Sequence, residues 1–412
     1  MTLLHQGCIY CGQDGPFNAE HAIPAGLGAG DELVLEDLVC KACNDFFSRD
    51  LEVRVLRRGD IGLGRLALQP HGRSRGSKTR APTFEMSSAK LLTEDGRALE
   101  IALGTGLAPE ILPQLTLRGR ELEGNGSDRA KVGAFLQRLD RVLGERVELV
   151  LKRLESEKSL TFEDLRWNGG AYEHVGARTE GKPGKDAIWM ESPQPDTGGL
   201  PRALQRQNGS IVFQVKERDV RAAATLATLL RRNSPTLQQS LSSVARETDI
   251  QQPQIRVTGH SPLEEDVARL IAKIGFNLLA LEQGAEFCRH TRFDVLRSAV
   301  RTGSPELLMS EWRETEGLLL MLRRIFAQRH WMMLAPMPNP ATQGHGLAFG
   351  CSFYGGVSRI VLLTEDLPAQ NFDFHVFYAV DYQTHSVARY DLRQIVQMMQ
   401  QPMQGDNTVV SS

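Results

Sequence analysis

The spacing of apolar and polar positions changes character along this 412-residue chain. Leu33-Val34-Leu35 is a short apolar run suited to a strand, and over residues 42–58 Phe47, Leu51 and Val55 fall on one helical face. Strand-like runs follow at 99–103 and 112–117. Helices are expected over 130–154 and over 217–232, where Val220, Ala223, Ala224, Ala227 and Leu230 recur at helical spacing. A further helix starts at Ser261-Pro262-Leu263-Glu264, read as a capping box with proline in the first turn. Its apolar stripe of Val267, Leu270, Ile271, Ile274, Leu278 and Leu281 runs to near Gly284, where the helix is expected to end. After Arg329 the period falls to two. Runs at 330–335, 347–353, 358–363 and 372–380 predict four strands joined by short turns in an antiparallel sheet, and 389–399 predicts a closing helix.

Glycine and proline punctuate this pattern. Residues 168–209 hold eight Gly and four Pro with little periodicity, which predicts a long loop or a domain boundary. Residues 71–80, rich in Arg, Lys, Gly and Ser, read as a flexible basic connector. The expected division is therefore a module at 1–58, a basic linker at 59–82, an α+β middle region at 83–209, and a helical plus antiparallel-sheet region at 210–412. The class is α+β throughout.

Charge narrows the choice of partner. The net charge is -2, so nothing attracts nucleic acid globally. Affinity for DNA would have to come from a local basic patch, because phosphate contacts supply most of it. The candidates are Arg57, Arg58, Arg73 and Arg75, just after the first module. No run approaches the roughly 20 apolar residues of a membrane span. The start leaves no room for a signal peptide before Cys8, and a cytoplasmic location is expected.

Six cysteines are too few for a disulfide scaffold in a chain of this length. Cys288 and Cys351 lie alone in apolar surroundings and read as buried thiols. The other four form two Cys-x2-Cys pairs, Cys8/Cys11 and Cys40/Cys43. Each pair lets one turn present two sulfurs to one ion, and two pairs complete a tetrahedral zinc site. Between them stands Phe17-Asn18-Ala19-Glu20-His21-Ala22-Ile23-Pro24, and Asn44 follows the last cysteine. With the zinc already saturated, Glu20, His21 and Asn44 remain available for a second, catalytic metal. Gly26-Leu27-Gly28-Ala29-Gly30 has the look of a nucleotide loop but lacks a βαβ context and reads as a turn.

The combination Glu-His-x-Ile-Pro followed by Cys-x2-Cys-Asn resembles the HNH endonucleases, in the branch whose ββα-metal unit is pinned by a four-cysteine zinc knuckle. The resemblance covers about the first 55 residues. It implies that Glu20 and Asn44 hold a divalent cation, Mg²⁺ or Mn²⁺, and that His21 is the general base for phosphodiester hydrolysis on DNA. The family's central asparagine would fall near Leu35, so its role passes to Asp37 or is lost. Asp50, on the helix of Asn44, is a further candidate ligand. By analogy with relatives carrying large extra domains, the resemblance also implies a restriction or anti-phage effector whose C-terminal region gates or targets cleavage. A small nucleotide activator and a homo-oligomer belong to the same expectation. The alternative is a non-catalytic, zinc-dependent nucleic-acid-binding protein.

Overall fold

The computed structural model describes residues 7–72, 81–94, 96–152, 160–193, 199–243, 250, 254–259, 261–312, 317–339, 344–368, 371 and 374–400. The fold is mixed α and β. It divides into two compact units, one of Met1–Met86, Thr105–Leu107 and Gly259–Ser412, the other of Ser87–Gly104 and Ala108–Thr258. These limits differ from the expected boundaries at 58, 82 and 209. The first 58 residues do not form a core of their own: Ile9, Leu35, Val39, Phe47, Leu51 and Val55 belong to one apolar cluster with Leu270, Ile274, Phe349, Val361 and Tyr378.

In the second unit an eight-stranded sheet runs in the order Tyr172–Arg178, Leu160–Trp167, Arg146–Lys152, Ile188–Glu191, Ile211–Gln214, Arg202–Gln205, Gln114–Arg118, Glu121–Asn125. Helices Arg129–Val142 and Val220–Ser243 pack on it through Phe135, Leu139, Leu226 and Leu230. The helix expected over 130–154 thus ends early. Arg146–Lys152 alternates enough to form a strand, buried at Val147 and Leu149. The stretch 168–209, expected as a long loop or a domain boundary, contributes three strands; two have only four residues, and Tyr172–Arg178 is mostly exposed with no alternation.

The first unit is organised around the helix Glu264–Arg289. Every residue from Asp266 to Ala280 is buried, so this helix needs partners on all sides and not on one stripe. On one side lie the antiparallel strands Phe17–His21 and Val34–Cys40 and the helix that follows them. That helix runs from Lys41–Phe46 through a π-helical stretch, Phe47–Glu52, into Val53–Leu56. On the other side lies a six-stranded antiparallel sheet ordered Met309–Glu311, Ser358–Thr364, Gly344–Ser352, His330–Asn339, Val376–Asp381, Ser386–Asp391. Its inner four strands match the period-two runs; the two edge strands are too short or too polar to read. The closing helix is Leu392–Gln400.

Two helix ends differ from expectation. The long helix begins at Glu264 with Leu263 as its N-cap, and no side chain caps it. Pro262 instead packs against Gly59, whose φ of +57° and lack of a Cβ admit the ring. At the other end Gly284 breaks the helical angles (φ 82°, ψ 168°), but the chain resumes a helix to Arg289. The expected linker at 59–82 starts as a helix, Gly59–Leu68, with Ile61 and Leu66 buried; residues 73–80 lie outside the described set.

His330 ties the turn after the first strand to the sheet. The short turn Ala25–Leu27 closes on Gly28, which has a φ of +79° and lies against Tyr382. The Leu27 carbonyl accepts a hydrogen bond from His330 Nε2 (3.0 Å), while His330 Nδ1 accepts from the Tyr354 N–H (3.1 Å). A neutral ring satisfies both; a charged ring would set donor against donor. Burial drives this imidazole down to about 3, against the pull of the Leu27 carbonyl. The unfolded chain therefore takes up a proton below about pH 6.5 that the folded chain refuses until about pH 3. Stability from this group is full above pH 6.5 and lost as pH falls, by about 2 kcal/mol at pH 5. In urea titrations across this range, His330→Gln should be less stable than wild type at pH 7 but should lose correspondingly less on acidification. Parallel pH profiles would refute this.

Candidate metal and catalytic site

The four cysteines are the first element of the site. Cys8 sits in a turn in which the Gly12 N–H donates to the Cys8 carbonyl (2.8 Å) and the Tyr10 N–H to Cys8 Sγ (3.4 Å). Cys40 ends the second strand and Cys43 lies in the first helical turn after it. A tetrahedral ion with metal–sulfur bonds near 2.3 Å separates its sulfurs by about 3.8 Å. Here Cys11 Sγ and Cys40 Sγ are 3.6 Å apart, and all four sulfurs lie within 4.8 Å of one another. The Cys8 thiol is drawn down to about 4, first by the hydrogen bond from Cys43 and then by backbone N–H groups, against burial. The same contact pushes Cys43 up. Sulfurs this close cannot all be thiolates unless a cation joins them, and the group could hold a metal such as zinc. Cys288 and Cys351 are buried and free, as read from the sequence.

Glu20, His21 and Asn44 come together on a second feature, a cavity of about 630 Å³ whose wall also carries Asp31, Glu36, Asp45, Ser48 and Glu52. The ribbon register places Glu20 opposite Leu35 and His21 opposite Val34. Asn44 donates from Nδ2 to the Ala19 carbonyl (3.0 Å), so the helix is pinned to the strand one residue before Glu20. Among the described residues no hydrogen bond ends on Asn44 Oδ1. His21 is mostly buried, with Nε2 3.6 Å from Asp31 Oδ1. Asp37 is exposed in the irregular part of the second strand and does not line the cavity; the carboxylate beside His21 is Asp31. Asp50 also lies outside the lining and pairs with Arg49.

Behind the cavity is a polar cluster that the sequence reading missed. Lys273 has no exposed side-chain surface and contacts Glu20 Oε1 and Glu52 Oε1, the latter at 2.6 Å. Asn277, one turn on, donates to Glu20 Oε1 and to the His21 carbonyl, both at 3.3 Å. It accepts from the Tyr10 hydroxyl at 2.7 Å, which links the cysteine turn to the same helix. Among the described residues no hydrogen bond ends on Glu20 Oε2. Burial works against the Lys273 ammonium, but Glu20 and then Glu52 outweigh it and hold this lysine above its ordinary range. Burial also pushes the Glu20 carboxyl up, more than Lys273 pulls it down, and Glu52 adds to the rise. One ammonium is shared between two carboxylates, and burial penalises the negative charge on Glu20. The sequence did carry a signal. Asp266, Arg269, Lys273 and Asn277 recur every three or four residues and form a polar seam on an otherwise apolar helix.

The basic patch is thinner than the composition implied. Arg57 is exposed, but Arg58 donates to Glu85 (2.7 Å), and Arg54 faces Asp266 at 3.8 Å. Arg73 and Arg75 lie outside the described residues. No described helix is long and apolar enough to cross a membrane.

Because the cysteine turn shares its core with the long helix and the sheet, loss of an ion held by the four sulfurs should be felt throughout the first unit. A strong chelator should lower the melting temperature of that unit by about 10 °C or more and leave the second unit, whose apolar cluster is separate, unchanged. Calorimetry in which chelation shifts neither transition, or both equally, would contradict this. No family model matches the chain, nor does any curated protein or solved structure.

Proposed function

We propose that this chain is a divalent-cation-dependent endonuclease of the HNH kind that hydrolyses DNA. In this reading Cys8, Cys11, Cys40 and Cys43 hold a structural zinc. Glu20 and Asn44 bind one Mg²⁺ or Mn²⁺, and His21 takes the proton from the attacking water. The observation that carries it is the state of two oxygens. Glu20 and Asn44 each have one polar atom anchored, to Lys273 and Asn277 and to Ala19 respectively, and each keeps an oxygen without a partner among the described residues on the wall of one cavity. Carboxylate and amide oxygens are the donors that hard cations prefer.

The cavity's charge supports the same reading. Five carboxylates line it: Glu20, Asp31, Glu36, Asp45 and Glu52. Left alone they repel a phosphodiester; a bound divalent cation would offset two of these charges and give developing charge on the leaving oxygen a local positive partner. His21 forms part of the same wall, and imidazole titrates near neutrality, as a base for water requires. The proton passes from water to the ring as the new P–O bond forms and the bridging P–O bond breaks. In this reading the C-terminal region, 210–412, gates or targets cleavage, and residues 259–412 of it share a compact unit with the cavity.

One observation favours a second reading, a zinc-dependent nucleic-acid-binding protein without catalysis: the Lys273 ammonium already occupies one oxygen of Glu20. A plasmid-nicking assay with Mg²⁺ or Mn²⁺ separates the two. Wild type should nick, and His21→Ala should be slower by about 10²–10⁴-fold with DNA binding and zinc content intact. Asn44→Ala should instead raise the cation concentration needed for half-maximal cleavage. Nicking by His21→Ala at the wild-type rate would remove the base assignment, and no nicking by wild type would favour the binding protein.

A further inference from the structure

We infer that Lys273 sets the charge of the cavity: its ammonium stands between Glu20 and Glu52 as an internal cation and lowers the affinity of the site for a divalent ion. The inference rests on the cation site proposed above.

The ammonium is fully buried and touches both carboxylates, with the Phe47 ring centroid 5.5 Å away. The three groups carry one net negative charge. Remove the lysine, and two carboxylates from separate elements, the first strand and the π-helical stretch, would face each other with both charges uncompensated. Oxygens so placed form a strong divalent-cation site. With Lys273 in place, a cation held by Glu20 Oε2 and Asn44 Oδ1 has an ammonium on the other oxygen of the same carboxylate and is repelled by it. Lys273 is a positioning residue, since it acts through Glu20 and Glu52.

Asn277 makes this arrangement selective for one oxygen. Its amide and Lys273 both act on Oε1, so the carboxylate is held in one orientation and offers a single oxygen to the cavity. Bidentate capture of a large, weakly demanding cation is thereby disfavoured.

The test is direct Mn²⁺ binding to the zinc-loaded full chain, followed by electron paramagnetic resonance of the free ion, with Asn44→Ala as the control that identifies this site. Lys273→Met should bind Mn²⁺ at least about tenfold more tightly than wild type, while cleavage falls. Glu52→Gln, which leaves the lysine paired with Glu20 alone, should bind about tenfold more weakly. The double variant, with its net charge restored, should return to within about threefold of wild type. A lysine that merely supports the fold would move affinity and cleavage in the same direction. Folded Lys273→Met that binds Mn²⁺ no more tightly than wild type overturns the inference. If that variant does not fold, Glu52→Gln with wild-type affinity overturns it. If neither wild type nor folded Lys273→Met binds Mn²⁺ in an Asn44-dependent way, both this inference and the nuclease reading fall.

Discussion

A lysine deprived of all contact with water stays charged only if the protein supplies negative groups to replace the solvent, and those groups must then be held where they are needed. Lys273 meets this condition through Glu20 and Glu52, and much of the first unit follows from it. The first strand has to end where its glutamate reaches the long helix. The helix after the cysteines reaches the same point through its π-helical stretch, which ends on Glu52. Breaking the triad on one side leaves a buried charge without a partner, so the three elements keep one mutual arrangement.

The cysteine turn is subject to the same geometry. Tyr10 stands two residues after Cys8; its ring meets Phe47 and Phe276 edge-on at 4.6 and 5.3 Å, and its hydroxyl reaches Asn277. Asn277 in turn holds the backbone of His21. A metal held by the four sulfurs would therefore steady the cavity through two side chains, although no cysteine lines it. Polar and metal interactions fix position here, while the shared apolar cluster supplies most of the stabilising free energy.

Much of the first unit was legible. The Cys-x2-Cys spacing reports a constraint from a few neighbouring residues, and the four sulfurs are indeed close. Period-two alternation announced the inner strands of the six-stranded sheet because each is long enough to repeat. The partition of the chain was not legible, because apolar residues on the helix of Phe47 look the same whether they cover a small module or a core built from distant segments. Lys273 and Asn277 escaped for a related reason. A polar residue opposite an apolar stripe is ordinarily solvated, and only the burial of the whole helix turns such a seam into an interior network. Leu35, near which the resemblance would put an asparagine, is buried opposite Glu20, and a hydrogen bond to the His21 backbone comes from Asn277, a residue no local motif could indicate.

The first unit is interrupted in the chain by the second, and this has a consequence for synthesis. Glu20 and its partner Asn277 are 257 residues apart. At ordinary elongation rates of about 5–20 residues per second, the ribbon leaves the ribosome on the order of 10–50 s before the helix that completes it. During that interval the second unit can fold on its own contacts, while the early strands wait with an apolar face uncovered. The cavity is thus assembled late, by closure of a very long loop, and only in polypeptides that have been translated beyond residue 277. A nascent or prematurely terminated chain carries the whole Glu-His and Cys-Asn signature without the interior that orders it.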